Sequence, residues 1–364
     1  MPKAIGLITA NYSAEHPTVL SAERPIASLP YIGRYRILDF AMSNLVNCGI
    51  RTVGFITPFN YRSIIDHVGN GRDWSLDRKN GGLFVLPGTA FGTARTGSRF
   101  LLRDFRENRV YLTRNTAPYV ICTSANMVYN MDYSELLAAH ESSGADITVG
   151  TFLADESYDD VMGFGFDGER VSSFKRGVAY GDTAFLDVFV IGREKLIELL
   201  SAYEAVDHLD LFEAISDDFA RIDVRSHLFR GYVAPVFDNE AYFRRNMDLL
   251  SMEVNDELFN PERSIRTKAH DTPPAKYERG CYVRNSIISA GSRVWGSVAD
   301  SVVGRNVVIE SGATVRNSIV MQSCIIRSGA RIENAIVDRN NDIPAGTELR
   351  GTPEAILIKE KGRD

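Results

Sequence analysis

Cysteine is sparse: Cys48, Cys122, Cys281 and Cys324 are the four in 364 residues, far apart and with no CxxC pair. This argues against a disulfide framework or a thiolate metal site, which stay the lesser alternative, and points to buried free thiols in a reducing compartment. Positive charge is not in surplus. Lys and Arg number 41 against 47 Asp and Glu, a net charge of -6, whereas a general nucleic-acid binder carries a basic excess. No window approaches the roughly 18 apolar residues of a membrane span. The apolar run in MPKAIGLITANY is too short for a secretory leader. A cytoplasmic protein that binds neither nucleic acid nor membrane is expected. Histidine is scarce, and none follows His270.

The length suits about two domains. Residues 1–260 alternate between short apolar runs and helical periods. Ala4–Thr9 reads as a buried strand, and so do residues 52–57, 83–86, 119–122 and 147–152. In residues 33–50, Ile37, Leu38, Ala41, Met42, Leu45 and Val46 recur at helical spacing, closed by Cys48-Gly49. Further helices are expected over 61–68, 99–109, 134–142, 193–203, 211–219 and 239–250. A hairpin turns at Asp167-Gly168, and strands follow at 184–192 and within 222–236. Such alternation implies an α/β domain with a mixed, mostly parallel sheet covered by helices on both faces.

Residues 261–280, with Pro261, Pro273 and Pro274, read as a linker. Residues 281–364 form a second domain of different pattern. Val303, Ile309, Val315, Val320, Ile326, Ile332, Val337, Ile343 and Leu349 recur at steps of six, six and five. A step near six, three to a coil, marks a hexapeptide parallel β-helix. Gly304, Gly312, Gly329 and Gly346 suit its corners.

Open α/β sheets do their chemistry at the carboxyl ends of their strands. Here the turn after residues 119–122 holds Ser124, Ala125, Asn126 and Met127, with no carboxylate and no histidine. Three longer segments give this turn its context. GRYRILDFAMSNLVNCGIR (33–51) resembles GKYRIIDFxLSNxxNSGIR of the ADP-glucose pyrophosphorylase (glucose-1-phosphate adenylyltransferase) family. YNMDYSELLAAH (129–140) is similar to that family's YKMDYxxMLxxH. GYVAPVFDNEAYFRRNMDLL (231–250) is similar to its GYWRDVGTxEAYWxANMDLL. The resemblance spans nearly the whole chain. It implies a Rossmann-like nucleotidyltransferase domain followed by a left-handed β-helix.

Against that family's pattern the site segments depart. Counted back from Pro25, the glycine-rich GGxGTRL loop falls on Thr9 to Ala14, so Tyr12 brings bulk and Ala14 replaces the arginine. The lysine before the proline is Arg24. The metal-binding aspartate of GDHxYxxDY falls on Asn126, and a second metal-linked aspartate, in YWRDVG, on Pro235. The Glu-Lys pair of FxEKP becomes Lys175-Arg176. In SMGIYVF the serine falls on Phe185 and the glycine on Asp187. GTADA has a partial echo in Gly92-Thr93-Ala94. Nucleotidyl transfer needs charge neutralised, usually by Mg²⁺ on carboxylates, so the degenerate positions Ala14, Asn126, Pro235, Arg176 and Phe185 imply a chain with no metal of its own.

The pattern resembles the non-catalytic, GlgD-type branch of the family. It implies a hetero-oligomer, a heterotetramer, with a catalytic ADP-glucose pyrophosphorylase subunit that alone carries Mg²⁺ and is activated in glycogen synthesis. Arg24, Arg34 and Arg36 survive beside the lost loop, either as a solvated helix-start cluster or as a site for a sugar-phosphate effector. Two other classes stay open. One is an active sugar nucleotidyltransferase with a rebuilt metal site that recruits Asp132 or Asp238. The other is a hexapeptide acyltransferase, whose general base is a coil histidine, a residue this chain lacks after His270.

Overall fold

Ala4–Thr9 (β1), buried along its whole length, is the third strand from one edge of a nine-stranded sheet. The computed structural model describes residues 3–10, 18–58, 60–88 and 98–362. The other strands of the sheet are Thr52–Thr57 (β2), Gly82–Pro87 (β3), Tyr119–Ser124 (β4), Ile147–Leu153 (β5), Tyr158–Asp167 (β6), Arg170–Val178 (β7), Thr183–Gly192 (β8) and Val224–Leu228 (β9). Their order is β3-β2-β1-β4-β8-β5-β9-β7-β6. Only β7 and β8 run against the rest. The strands near the centre are continuous apolar runs because helices cover both faces. Among the described residues no helix is long and apolar enough to cross a membrane.

Two expected helices are shorter than their periodicity suggested. Residues 33–37 do not join Leu38–Asn47; Tyr35–Arg36 instead pairs with Pro30–Tyr31 in a small hairpin. Ile32 and Gly33 turn it with φ of 49° and 64°. A Cβ at Gly33 would lie 2.4 Å from Ser289 Oγ and 2.8 Å from the Val303 carbonyl, so glycine is required by both backbone and contact. The helix over 99–109 is replaced by Leu102–Glu107 and Arg109–Thr113. Its start is pinned non-helical because Asp210 Oδ2 accepts from both Arg99 N and Phe100 N, at 2.9 and 2.8 Å.

The β-helix follows the expected steps. Val303, Val320 and Val337 stack in one ladder, Ile309, Ile326 and Ile343 in a second, and Val315, Ile332 and Leu349 in a third. All but Leu349 are buried. Corners are turned by left-handed residues in register, among them Gly312, Gly329 and Gly346, and Asn317 with Asn334. Asn317 Nδ2 donates to Asn334 Oδ1 at 2.6 Å, tying one coil to the next. The first coil strand, Lys276–Tyr277, lies inside the stretch that reads as linker. The preceding residues are docked on the α/β part, through Arg266 N to Ser43 Oγ (2.9 Å) and Ala269 N to Asp73 Oδ1 (3.1 Å).

The two parts share a core. Val302, Ile319, Met321 and Ile336 of the coils pack in one cluster with Tyr31, Phe40 and Tyr242. Arg24 Nη2 crosses the seam to both oxygens of Asp338 at 2.9 Å. All four cysteines are free, and Cys122 and Cys324 are the two buried ones; Cys48 and Cys281 are only partly covered.

Gly33→Ala is expected to destabilise the chain by about 1–3 kcal/mol, since it adds overpacking to backbone strain. Gly49→Ala, where φ is 90° but a Cβ meets nothing within 4 Å, should cost less. Denaturant midpoints of the two variants, compared with the parent, check the ranking.

Candidate functional site

The sheet order runs from β1 to β2 on one side and from β4 to β8 on the other. Such a divergence opens a crevice beyond the strand ends. The ends are in register, Thr9 opposite Ser124, and Ala125 N donates to Thr9 O at 2.9 Å. Met127–Val128 then pairs antiparallel with Ala234–Pro235, and Val236 N donates to Asn126 O at 3.1 Å. Asn126 and Pro235, far apart in sequence, therefore meet in the crevice. Neither brings a charge. Asn126 is buried, with no partner for its Nδ2 among the described residues.

Asp187 is the carboxylate that does reach the crevice. It sits where the β8–β5 register is irregular, between Phe185 and Phe189, and holds φ at 53°. Its Oδ2 accepts from Ser124 Oγ at 2.9 Å and lies 2.6 Å from Arg99 Nε. Arg99 is equally buried. Its Nη2 donates to the Asp160 carbonyl, and its guanidinium lies 4.6 Å from the centre of the Phe237 ring. Burial pushes the Asp187 carboxyl up to about 6, against the opposing pull of Arg99 and Ser124.

Mg²⁺ takes hard anionic oxygens. An amide at 126, an apolar ring at 235 and a carboxylate already committed to a guanidinium do not fit it. Asp132 and Asp238, the candidates for a rebuilt metal site, are helix N-caps: Asp132 Oδ1 accepts from Ser134 N at 2.9 Å and Asp238 Oδ1 from Ala241 N at 2.7 Å.

Of the other singled-out positions, Phe185 is core, in edge contact with Phe164 and Phe212 at 5.3 and 5.0 Å. Arg176 lies on β7 with its Nη2 2.9 Å from Asp160 Oδ1. Ala14, with Tyr12 and Ser13, and Gly92-Thr93-Ala94 lie outside the described residues.

The three arginines expected to act together are separated. Arg24 is buried on Asp338 and lines a different cleft, with Glu23, Arg339 and Lys361. Arg36 Nη1 donates to the Ser63 carbonyl at 2.6 Å, and its amide to Asp39 Oδ2 at 2.9 Å. Burial lowers Arg36 to about 10, with Arg339 and Arg24 adding to the effect. Arg34 alone of the three lines a cavity of about 640 Å³ at the seam, with Tyr35, Phe259, Lys268, His270 and Arg305. No carboxylate is among its described lining residues. Arg305 Nη2 donates to the Arg34 carbonyl at 3.0 Å. Burial first, and then the neighbouring cations, lower both Arg305 and His270. The described lining is therefore cationic through Arg34, Arg305 and Lys268, while Asp39 partly offsets the charge around Arg305 and the lowered His270 favours its neutral form.

The sequence matches known proteins along its length. A nucleotidyl transferase family model matches residues 18–175, and a GlmU-like C-terminal hexapeptide model matches residues 273–355. Glycogen biosynthesis protein GlgD of Geobacillus stearothermophilus is 33% identical over 363 residues, covering 99% of this chain and 96% of that protein. GlgD of Bacillus subtilis (strain 168) is 30% identical over 350 residues, 94% of this chain and 91% of that protein. Glucose-1-phosphate adenylyltransferase of Halalkalibacterium halodurans is 30% identical over 368 residues, 98% of this chain and 96% of that protein.

The chain belongs to the GlgD and glucose-1-phosphate adenylyltransferase family.

Within that family frame, counting along the sequence located Asn126 and Pro235. It passed over Arg99, and it noted Asp187 only as a lost glycine. The signal available was that glycine position itself: a left-handed residue with a carboxylate needs a strong partner. Lys268, His270 and Arg305 were missed because they come from the supposed linker and from a coil.

Asp187 supplies a pH test. Its carboxyl is raised from 3.8 to about 6 on folding, so its contribution is complete below about pH 4 and is lost as pH rises through 6. Between pH 4 and 7 the wild type should lose roughly 1–3 kcal/mol relative to Asp187→Asn, which does not titrate. Urea unfolding of both chains across that range reads it.

Proposed function

We propose that this chain is a catalytically silent, regulatory subunit of glucose-1-phosphate adenylyltransferase. It associates with a catalytic subunit in a hetero-oligomer, a heterotetramer by family resemblance, and raises that subunit's formation of ADP-glucose and pyrophosphate from ATP and glucose 1-phosphate in glycogen biosynthesis. The observation that carries this reading is the crevice. Asn126 and Pro235 are placed side by side and neither is anionic, while the carboxylate present, Asp187, is paired with Arg99. Moving a nucleotidyl group between charged oxygens without a metal-holding carboxylate leaves the transition-state charge unneutralised.

The seam pocket supports the regulatory half. Arg34, Arg305, Lys268 and His270 converge there from the α/β part, the coils and the segment between them. An anion with several phosphate oxygens could engage Arg34, Arg305 and Lys268 at once through charge-assisted hydrogen bonds, with His270 beside them. A sugar-phosphate effector bound there would couple the two parts of the chain. Arg24, committed to Asp338, is not part of this site.

ADP-glucose formation is to be measured for this chain alone, for the catalytic homologue alone and for the mixture. Silence alone and a higher rate in the mixture are expected; EDTA-sensitive turnover by this chain alone would establish a rebuilt active site instead. In the mixture, Arg305→Ala should raise the sugar-phosphate concentration needed for half-maximal activation about tenfold, the loss of one charge-assisted hydrogen bond. An unchanged response would remove the seam pocket from the regulation.

A further inference from the structure

The crevice keeps polar atoms among its apolar side chains, such as Met127 and Phe237. Thr9 Oγ1, Asn126 Nδ2 and Asp187 Oδ1 are buried there with no partner among the described residues. In their midst stands a cation held from several directions. Asp210 fixes the backbone of Arg99 through two amides. The Asp160 carbonyl and the face of Phe237 hold its guanidinium. Asp187, kept in a left-handed conformation, meets it at 2.6 Å.

Stability does not account for this arrangement. A buried ion pair is often no better than a hydrophobic filling of the same volume, and a non-glycine residue at positive φ adds backbone strain. What the pair does accomplish is occupancy. A divalent cation would meet a fixed guanidinium, and a phosphate would meet the Asp187 carboxylate.

We propose that the Arg99–Asp187 pair is an internal ligand, filling with protein atoms the place where a divalent cation and an anionic phosphate would lie, so that the crevice admits neither. The proposal rests on the crevice being the remnant of a nucleotidyl-transfer site. It adds that the site is closed, beyond having lost its carboxylates.

Binding of pyrophosphate in EDTA tests it, by titration calorimetry in an Arg305→Ala background that weakens the seam pocket. Asp187→Gly suits the left-handed position and takes the carboxylate away from Arg99. Wild-type residues at 99 and 187 should show no binding that Arg99→Met removes. Asp187→Gly should gain saturable binding, and adding Arg99→Met should abolish the gain. Should Asp187→Gly fold poorly by circular dichroism, Asp187→Asn, which keeps an acceptor for Ser124, should show a smaller gain in the same direction. Two results would overturn the proposal: binding already present with the pair intact and lost in Arg99→Met, or folded Asp187 variants that gain none. Activation of the catalytic homologue is followed in parallel. Loss of activation by the parent chain would count against the subunit role, whereas the calorimetry bears on closure alone.

Discussion

A guanidinium buried against a carboxylate at the mouth of a parallel sheet constrains everything near it. Arg99 needs its charge met, its backbone held and its planar face covered. Asp187, Asp210 and Phe237 do these three things. The demand explains local features that otherwise look unconnected: the irregular register in β8, the positive φ of Asp187 and the non-helical backbone at Arg99 and Phe100 before the helix at Leu102. It also sets the chemistry. With Asp187 spent on Arg99 and neutral residues at 126 and 235, these described residues offer no hard anionic oxygen set to a metal.

The second constraint is the seam. The β-helix is not an appended rod, because its Val302–Ile319–Ile336 face completes the core that surrounds Leu38–Asn47. The hairpin at Ile32-Gly33 presses into the coils with no room for a side chain. Arg24 and Asp338, both buried, lock the same contact. On the proposed function, a cationic pocket beside so close a junction would pass an effector's charge into the packing of both parts, since packed interfaces respond in discrete steps.

Much of this was legible in the sequence, and the reason lies in periodicity. Steps of six, six and five report a coil whose inward positions must stack, so the ladders from Val303 to Leu349 could be read directly. Buried strands such as Ala4–Thr9 are short apolar runs with little ambiguity. Asn126 and Pro235 were singled out by counting, and the structure sets them in one two-stranded ribbon. What could not be read was non-local. Arg34, Tyr35 and Arg36 continue a helical apolar period, and only the contact with Ser289 and Val303 shows why the chain turns there. Arg24 was grouped with Arg34 and Arg36 by proximity in sequence, yet its partner is more than three hundred residues away. Arg99 looked like the start of a charged helix, because nothing near it in sequence reveals Asp187 or Asp210.

The central claim is that this crevice is shut to metal by its own ion pair as well as stripped of ligands. Manganese binding to the Asn126→Asp/Pro235→Asp chain, followed by the loss of the free Mn²⁺ signal in electron paramagnetic resonance, tests it most directly. With Arg99 and Asp187 in place the signal should stay undiminished, because on this account the guanidinium takes the cation's place. Stoichiometric uptake of Mn²⁺ by that chain would contradict the account, showing an open site that lacked only its two carboxylates.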